Sequence, residues 1–483
     1  MKNYIIKSLF SRGWSMFILV VITTIYFIFV SFKSKSHIND LGEKPNIIVV
    51  VVDDLGYGDL GGYFGGKAQT PNLNSLARQG MLFTDFHSNG PMCSPTRASL
   101  LTGRYPQRLG IETALSTDWD DEGIGSKKNS NEKTIAAYLK EVGYKTAIFG
   151  KWHLGKAPCA NPVLHGFDEF RGLTCGSGDY FSKNDRNGFK DWWHNDTLNF
   201  QEGYATNVIT NNSVQYIESN KDNPFFLYVA YSAIHFPWQT SEDYQLETIQ
   251  EGEDYTSIYP GNKSKLGPHG PEEVPSVLIK MIEEMDEGIG RILQAIHDEK
   301  LENNTLVFVT SDNGGYIHYA GEIWPRVGSN GPLKGQKGQL YEGGHRVPAI
   351  AWWPGKIQPL SVCAQPAMTF DLLPTILDIL NIPLPSPNSN NALDGVSLLP
   401  LWENNTPLKS RPLFWRMTNQ IAIRDGVWKL VVNNQKNFYE LYNLKQDIGE
   451  KTDLSSQYPQ KVTELRDKLI KWEKDVDVEF NKK

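Results

Sequence analysis

The sequence feature that most constrains the fold is a run of mostly β-branched residues near the start of the chain, Asn46-Ile47-Ile48-Val49-Val50-Val51-Val52. β-branched side chains favour extended backbone. Polar residues do not alternate with apolar ones along the run, so we predict a strand that is covered on both faces. Such strands belong to the central sheet of an α/β protein. The run ends in Asp53-Asp54-Leu55-Gly56-Tyr57-Gly58.

Three further apolar runs also end near ionisable residues. Residues 144–149 precede Gly150-Lys151-Trp152-His153, residues 225–230 lead to His235, and residues 306–310 end in Ser311-Asp312-Asn313. In open α/β sheets, ligands bind at the carboxyl ends of the strands. We therefore expect the ionisable residues that follow these runs to converge on one site.

The rest of the chain predicts helices and a second, smaller sheet. Apolar residues from Val277 to Ile296 follow the i, i+3, i+4 spacing of an amphipathic helix, and another amphipathic segment begins at Asp371. Residues 382–400 are rich in Pro, Asn and Ser and predict a loop. Beyond the loop we predict a hairpin-rich meander of short strands, at residues 413–415, 421–424, 428–432 and 438–442, and a closing helix over residues 459–476.

Composition and the N-terminal segment indicate an exported protein that does not bind nucleic acid. The 483-residue chain has a net charge of -7 and no basic run. Residues 16–32 are almost wholly apolar, close to the ~20 residues of a membrane span and longer than the usual apolar region of a signal peptide. We predict that residues 1–34 are a signal anchor or a signal peptide, and that the rest of the chain is periplasmic or extracellular.

One stretch combines a thiol with groups that attract an anion. It reads Pro91-Met92-Cys93-Ser94-Pro95-Thr96-Arg97-Ala98-Ser99-Leu100-Leu101-Thr102-Gly103-Arg104. Cys93 precedes an apolar run that predicts a helix, and the N–H groups at a helix start favour negative charge, as does the Arg97 guanidinium. The stretch predicts a nucleophile and an anion site.

The pattern C-x-P-x-R followed by A-S-L-L-T-G-R resembles the type I sulfatases of the alkaline-phosphatase superfamily. In that family the cysteine is oxidised after translation to formylglycine (3-oxoalanine), whose aldehyde hydrate supplies the attacking hydroxyl. The resemblance implies that Cys93 is modified in this way. It also implies a maturation partner, a formylglycine-generating enzyme.

The resemblance extends in order from Pro45 to Trp472 and implies the fold. We expect an α/β protein with an alkaline-phosphatase-like mixed central sheet flanked by helices. A small C-terminal subdomain of antiparallel sheet plus helix would follow. The implied boundaries are a catalytic domain at residues 45–400 and the subdomain at residues 401–483.

Oxygen ligands for one metal ion follow two of the predicted strands. Asp53, Asp54, Asp312 and Asn313 offer hard oxygen atoms, a set that suits Ca²⁺ or Mg²⁺ rather than zinc. In the family these four positions bind one divalent cation, normally calcium. The formylglycine side chain, here at Cys93, completes the set of protein ligands. The resemblance therefore implies Ca²⁺ ahead of Mg²⁺.

Hydrolysis of a sulfate ester places negative charge on the leaving oxygen, so the site needs fixed cations and proton donors. Residues 143–153 match the second sulfatase pattern over their whole length. By resemblance, Lys151 contacts the sulfate and the nucleophile. His153 takes a proton from the sulfated intermediate, and Arg97 orients the nucleophile and the metal-side carboxylates.

Two further positions match family residues that contact the sulfate and the leaving oxygen. They are His235, in Ala233-Ile234-His235-Phe236-Pro237, and Lys337, in Gly335-Gln336-Lys337-Gly338. Lys334 competes with Lys337, which has the better spacing to Glu342-Gly343-Gly344. Histidine can act as an acid near neutral pH. Ser177 is a weaker candidate for a serine that contacts the sulfate in some members of the family.

If Cys93 is converted, Cys159, Cys175 and Cys363 remain. They allow one disulfide, for which Cys159 with Cys175 is the first choice, and one free thiol. The alternative is that all three are buried thiols.

Tryptophans in the predicted loops favour a sulfated carbohydrate over a small aryl sulfate as the substrate, because aromatic faces suit sugar rings. They are Trp119, Trp192, Trp193, Trp238 and Trp324. The alternative is that they pack the loops onto the domain. Two other functions stay open: a phosphate or phosphonate ester hydrolase on the same fold, and a catalytically silent, membrane-tethered glycan-binding relative.

Overall fold

The computed structural model describes residues 44–244, 251–252, 268–318, 326–387, 389, 391–433 and 438–482. The predicted signal peptide or anchor at residues 1–34 lies outside these ranges, as does Trp324. Residues 45–483 form one compact unit. Within the described ranges, none of the helices combines the length and the apolar character that crossing a bilayer requires.

A large mixed sheet forms the centre of the protein, in the spatial order β10-β2-β9-β8-β1-β7-β3-β4-β5-β6, with β11 paired to β2. Its strands in chain order are β1 (Asn46–Val52), β2 (Met81–His87), β3 (Lys145–Lys151), β4 (Glu169–Leu173), β5 (Trp193–His194), β6 (Thr197–Leu198), β7 (Phe225–Tyr231), β8 (Thr305–Ser311), β9 (Arg346–Trp352), β10 (Ser361–Cys363) and β11 (Ala367–Met368). The four predicted strands are β1, β3, β7 and β8. All four are parallel and adjacent, which confirms the α/β prediction.

The register of the central strands positions the site. Val52, the last residue of β1, pairs with Ser311 of β8 and with Tyr231 of β7. The residues that follow these strands therefore leave the sheet side by side. Every residue of β1 is buried, because helices cover both faces of the sheet.

Helices flank the sheet: α1 (Pro71–Gln79), α2 (Cys93–Thr102), α3 (Ile135–Glu141), α4 (Ala205–Asn220), α5 (Val274–Asp298), α6 (Glu342–His345), α7 (Leu372–Ile379) and α8 (Leu399–Asn404). The predicted amphipathic helix is α5, which buries Val277, Met281, Met285 and Ile289 along one face. Short 3-10 helices lie at Gly62–Phe64, Pro106–Leu109, Gly123–Gly125, Lys127–Asn129, Pro158–Ala160, Pro162–His165, Ser241–Asp243, Glu302–Asn304 and Thr369–Asp371.

The C-terminal part is an antiparallel sheet with a helix against it, as predicted. Its strands are β12 (Leu413–Met417), β13 (Gln420–Asp425), β14 (Trp428–Asn433) and β15 (Phe438–Asn443), paired in chain order. The closing helix α9 (Pro459–Lys482) buries Leu465, Leu469, Trp472 and Val476 in the same hydrophobic cluster as Trp415 and Leu430. The boundary between residues 400 and 401 stays a prediction.

Seven of the eleven strands of the central sheet, all except β1, β3, β7 and β8, were not predicted, and β2 and β9 show one reason. β2 carries Thr84, Asp85 and His87 among apolar residues, and β9 begins with Arg346 and includes Pro348. Charged residues inside a strand weaken the apolar pattern on which a sequence prediction rests. These charges are satisfied by partners distant in sequence, as described below.

Candidate active site

Cys93 is the first residue of α2, and the preceding Met92 has extended backbone (φ −145°, ψ 157°). All ten residues of α2 are buried. Because the free N–H groups of a helix start carry partial positive charge, the Cys93 position favours an anion. The Cys93 thiol donates to Asp53 Oδ1 at 3.3 Å. Burial and Asp53 raise the pKa of this thiol to about 12, so the unmodified side chain is neutral.

The oxygen ligands predicted from sequence lie together beside Cys93. Asp53 and Asp312 follow the paired ends of β1 and β8, and Asp312 N donates to Val52 O at 3.2 Å. Asn313 Nδ2 donates to Asp54 Oδ1 at 2.8 Å, and Asp54 N donates to Asp312 Oδ1 at 3.3 Å. Asp54 has φ of 64°, a turn that brings its carboxylate back to the pocket.

These residues fit a divalent cation. Asp54 Oδ2 and Asn313 Oδ1 are buried and accept no hydrogen bond, although both are strong acceptors. Ligand atoms of Asp53, Asp54, Cys93 and His235 lie within 4.8 Å of one another. Burial and the neighbouring Asp312 carboxylate raise the pKa of Asp53 to about 7. A donor set dominated by oxygen suits Ca²⁺ or Mg²⁺.

Each carboxylate of the pocket has one cationic partner. Arg97 Nε donates to Asp312 Oδ2 at 2.9 Å. Lys151 Nζ lies 2.5 Å from Asp53 Oδ2, and Lys337 Nζ lies 2.6 Å from Asp54 Oδ1. Arg97 Nη1 also donates to the carbonyl oxygen of Lys151 at 2.8 Å, which ties α2 to the end of β3. All three cations are buried.

The structure separates the two candidate lysines of the 334–337 segment. Lys334 Nζ donates to Tyr442 Oη at 2.9 Å and lies 3.5 Å from Glu440 Oε1, both on β15. Lys337 turns the other way, toward Asp54. Lys337 is therefore the lysine of this segment that reaches the pocket.

Two histidines border the pocket, each with one ring nitrogen held by the backbone. His153 Nε2 lies 3.2 Å from Leu115 O, and its Nδ1 is buried without a hydrogen-bond partner. His235 Nδ1 lies 2.7 Å from Phe236 O, and its Nε2 lies 3.7 Å from Asp54 Oδ2. Each carbonyl accepts, so the other nitrogen is free to take a proton.

Burial and nearby cations keep both histidines neutral. Burial, Lys151 and Arg97 hold the pKa of His153 well below 6.5. Burial, Lys337 and Lys151 do the same to the pKa of His235. In the free protein both imidazoles are therefore proton acceptors, and His235 must take up a proton before it can act as the acid expected from sequence.

The predicted disulfide between Cys159 and Cys175 is wrong, since all four cysteines are free. Cys175 is buried and its thiol donates to Ser177 O at 3.0 Å, whereas Cys159 is exposed in a 3-10 helix. The alternative of three buried thiols holds for Cys175 and Cys363 alone.

The tryptophans divide between the two roles considered for them. Trp192 and Trp238 are 2% exposed, so they pack the loops onto the domain. Trp119 is 43% exposed, and its ring centroid lies 6.3 Å from that of Trp193. Of the tryptophans considered as sugar contacts, Trp192 and Trp238 are therefore too buried to contact a ligand, whereas Trp119 is accessible.

The sequence did not reveal a second buried cluster of charged side chains next to the pocket. Asp85 and His87 of β2 meet Glu342 and His345 of α6, and Arg424 of β13 binds both Asp85 carboxylate oxygens, at 2.6 and 2.7 Å. Lys429 Nζ lies 2.9 Å from Glu342 Oε1. The sequence signal that could have revealed this cluster is the presence of charged residues within otherwise apolar strands, in β2 and β9. The cluster joins the central sheet to the C-terminal sheet.

The fold and the pocket together define a class: a hydrolase of anionic esters with the alkaline-phosphatase architecture. Within that class, the sulfatase family model matches residues 45–382, and a model described as N-sulphoglucosamine sulphohydrolase, C-terminal, matches residues 336–475. The chain belongs to the sulfatase family and is a sulfatase enzyme.

The chain is similar to curated relatives over most of its length. It is 36% identical to N-acetylgalactosamine-6-sulfatase of Homo sapiens over 389 residues, which cover 77% of this chain and 68% of that protein. It is 32% identical to arylsulfatase A of Bos taurus over 414 residues, covering 80% and 74%.

Among solved structures, the chain is similar to Ps i-CgsB in complex with k-i-k-neocarrahexaose, with a TM-score of 0.74 and 31% identity. The match covers 89% of this chain and 93% of that one.

Proposed function

We propose that this sulfatase removes sulfate from a sulfated oligosaccharide or polysaccharide, with formylglycine derived from Cys93 and one divalent cation, Ca²⁺ ahead of Mg²⁺. The observation that carries the proposal is the pocket itself. Cys93 stands at a helix start, 3.3 Å from Asp53, and the same pocket holds Arg97, Lys151 and Lys337.

The charge balance of the pocket supports a cation. Three carboxylates (Asp53, Asp54 and Asp312) face three protein cations, so the side chains alone leave no positive charge for an anionic ester. When bound, a divalent cation held by Asp53, Asp54, Asp312, Asn313 and the side chain at position 93 supplies that excess charge and polarises the ester oxygen. Lys151 and Lys337 are then free to contact the sulfate.

The proposed nucleophile depends on the position of Cys93. Once oxidised and hydrated, this residue supplies the attacking hydroxyl at the start of α2, where the helix N–H groups favour negative charge. Arg97 binds Asp312, and Lys151 Nζ lies 2.5 Å from Asp53, the carboxylate that accepts from the Cys93 thiol. These contacts fix the direction of attack.

The two histidines have separate proton-transfer roles in the proposal. His153 Nδ1 has no partner, and the Leu115 carbonyl holds the ring, so His153 suits a base that takes a proton near residue 93. His235 Nε2 faces Asp54 on the side of Lys337, which suits contact with the leaving oxygen. A bound sulfate raises the pKa of His235, because its negative charge favours the protonated ring. His235 can then act as an acid near neutral pH.

A sulfated carbohydrate is favoured by two observations. The relatives include N-acetylgalactosamine-6-sulfatase and a structure in complex with an oligosaccharide, neocarrahexaose. On this chain, Trp119 and Phe189 are 43% and 49% exposed, and their ring centroids lie 6.4 Å apart. Exposed aromatic faces suit sugar rings.

Export and maturation complete the proposal. Residues 1–34 act as a signal peptide or anchor, so the enzyme works in the periplasm or outside the cell, on the membrane if the segment is uncleaved. A formylglycine-generating enzyme converts Cys93 before the protein is active. The net charge of -7 argues against nucleic acid as a partner.

The test measures release of free sulfate and free phosphate from sulfated glycans, aryl sulfates and phosphate esters. The protein is co-expressed with a formylglycine-generating enzyme, and peptide mass spectrometry verifies conversion of Cys93. Cys93→Ala is the control, and we expect sulfate release from a glycan at least 1000-fold above that variant, on the order of the loss that follows removal of a nucleophile. Phosphate release without sulfate release would instead establish a phosphate or phosphonate ester hydrolase.

A further inference from the structure

Arg186 is a cation at the edge of the pocket that forms no ion pair with any residue in the described part of the chain. No described carboxylate oxygen lies within ion-pair distance of its guanidinium, and its Nε donates to Ser177 Oγ at 3.2 Å. The side chain is half-buried. A half-buried arginine that binds no carboxylate keeps most of its donors available for a ligand.

The contacts of Arg186 place it between the two histidines of the pocket. Its guanidinium carbon lies 5.7 Å from the ring centroid of Phe236, and that ring lies 4.0 Å from the ring of His235. On the other side, Ser177 follows Gly176, where a Cβ atom would lie 2.6 Å from the His153 ring. Arg186 therefore spans the edge from His153 to His235.

Asp179 and Asp185, the described acids nearest to Arg186 in sequence, have other partners, which explains why neither forms an ion pair with it. Asp185 accepts from Asn187 N and Phe189 N, and its other oxygen pairs with Lys156. Asp179 accepts from Phe181 N, Ser182 N and Gln239 Nε2. Neither carboxylate therefore neutralises Arg186, and its positive charge helps to lower the pKa of His235 in the pocket.

The segment that carries Arg186 also connects to the exposed aromatic side chains. Asn187 Nδ2 donates to Thr117 Oγ1 at 3.0 Å. Thr117 lies between Leu115, which contacts His153, and Trp119, which is exposed. The segment of Arg186 therefore contacts the loop that carries both Leu115 and the exposed Trp119.

We infer that Arg186 forms a second anion site, which binds an additional sulfate or carboxylate group carried by the same glycan. This inference rests on the proposed function, because it takes the ester at Cys93 as the reacting group. Arg186 binds substrate through its free guanidinium N–H groups, while Ser177 and Phe236 hold the side chain in place. The substrate class is accordingly a glycan with two anionic groups on the same or adjacent sugars.

The experiment compares wild type with Arg186→Gln on matched probes. N-acetylgalactosamine 6-sulfate carries one anionic group, and N-acetylgalactosamine 4,6-disulfate carries a second sulfate. A chondroitin 6-sulfate disaccharide and its methyl ester test a carboxylate in the same way. We expect wild type to favour the doubly anionic probe of at least one pair by about tenfold in kcat/KM, the effect of one charge-assisted hydrogen bond, and Arg186→Gln to abolish that preference.

Two further variants separate binding from structure. Arg186→Lys retains the charge, so it should recover part of the preference. Arg291→Gln is the matched control, because Arg291 is exposed late in α5 and donates to the neutral Asn211 side chain. A preference that is absent in wild type, or equal in wild type and Arg186→Gln, would overturn the inference.

A binding measurement keeps this inference distinct from the proposed reaction. Calorimetry on Cys93→Ala, with and without Arg186→Gln, gives Kd for the same probes without turnover. If no probe releases sulfate, the proposed reaction fails, and the Kd comparison still decides the anion site. A Kd ratio between doubly and singly anionic probes that Arg186→Gln leaves unchanged, or no binding of any probe at millimolar concentration, would overturn the inference.

Discussion

Asn313 contributes a neutral oxygen to a pocket that otherwise holds three carboxylates. Its Oδ1 is buried without a hydrogen bond, while its Nδ2 is held by Asp54 Oδ1 and Gly314 O. We predict that Asn313→Ala weakens calcium binding. At a Ca²⁺ concentration 100 times Kd, wild type gains about 2.7 kcal/mol of unfolding free energy over the EDTA-treated protein. The variant should lose most of this gain, measured by thermal unfolding with and without Ca²⁺.

Asp59 provides the matched control for Asn313. It is a buried acid close in sequence to Asp54, but its oxygens accept from Gly56 N and Ser329 N. Asp59→Asn is therefore expected to keep the calcium-dependent gain even if its baseline stability falls. A full calcium response in Asn313→Ala would contradict the role of Asn313 as a ligand.

The ion pair of Asp85 and Arg424 links β2 of the central sheet to β13 of the C-terminal sheet. Arg424 binds both Asp85 oxygens, and the two side chains are each 8% exposed. Removing one partner of a buried pair leaves a charge without compensation. We predict that Arg424→Ala lowers the free energy of unfolding by about 3 to 5 kcal/mol, measured by urea denaturation.

Arg416 on the neighbouring strand β12 is the control for this effect. It also binds a carboxylate through two nitrogens, at 2.7 and 2.8 Å from Glu112, but the Glu112 and Asp477 side chains are 29% and 47% exposed. Solvent screens these pairs, so Arg416→Ala should cost about 1 kcal/mol. Equal losses in the two variants would show that burial of the Asp85 pair is not the decisive factor.

For the whole molecule, the buried cluster around His87 and His345 predicts acid sensitivity. Burial holds the pKa of His87 below 6.5, and burial with Lys429 holds the pKa of His345 well below 6.5. In the unfolded chain these histidines bind protons from about pH 6.5 downward, whereas in the folded protein they do not. Each of these two histidines therefore contributes a fall in the free energy of unfolding as pH drops below about 6.5, by up to about 1.4 kcal/mol per pH unit.

Asp85 contributes a further fall in the free energy of unfolding at lower pH. Burial would raise its pKa, but His87 and Arg424 together lower it below 3.8, so its contribution is present above pH 3.8 and is lost as pH falls further.

Free energies of unfolding measured between pH 7 and pH 4 test the contribution of the histidines. His345→Gln should flatten the slope below pH 6.5, and His297→Gln, on the exposed end of α5, is the control. An unchanged slope in His345→Gln would speak against this origin.

Sequence pattern was enough to predict four adjacent strands of the central sheet, the amphipathic helix α5 and the C-terminal meander, and the family resemblance identified the residues of the pocket. Buried parallel strands read as continuous apolar runs, and the polar residues that follow them must meet at one sheet edge. The motif around Cys93 is local in sequence, and so is the one that ends at His153. Such features can be predicted from short stretches of sequence alone.

Tertiary structure alone decided which side chains meet across long separations. The pairing of Val52 with Ser311 brings Asp53 beside Asp312, and the turn after Gly335 directs Lys337 to Asp54 while Lys334 goes to β15. The free cysteines, the charged cluster on β2 and the bond of Arg186 to Ser177 follow from packing in the same way. A side chain's partner depends on register, burial and competing charges, and these are properties of the folded chain.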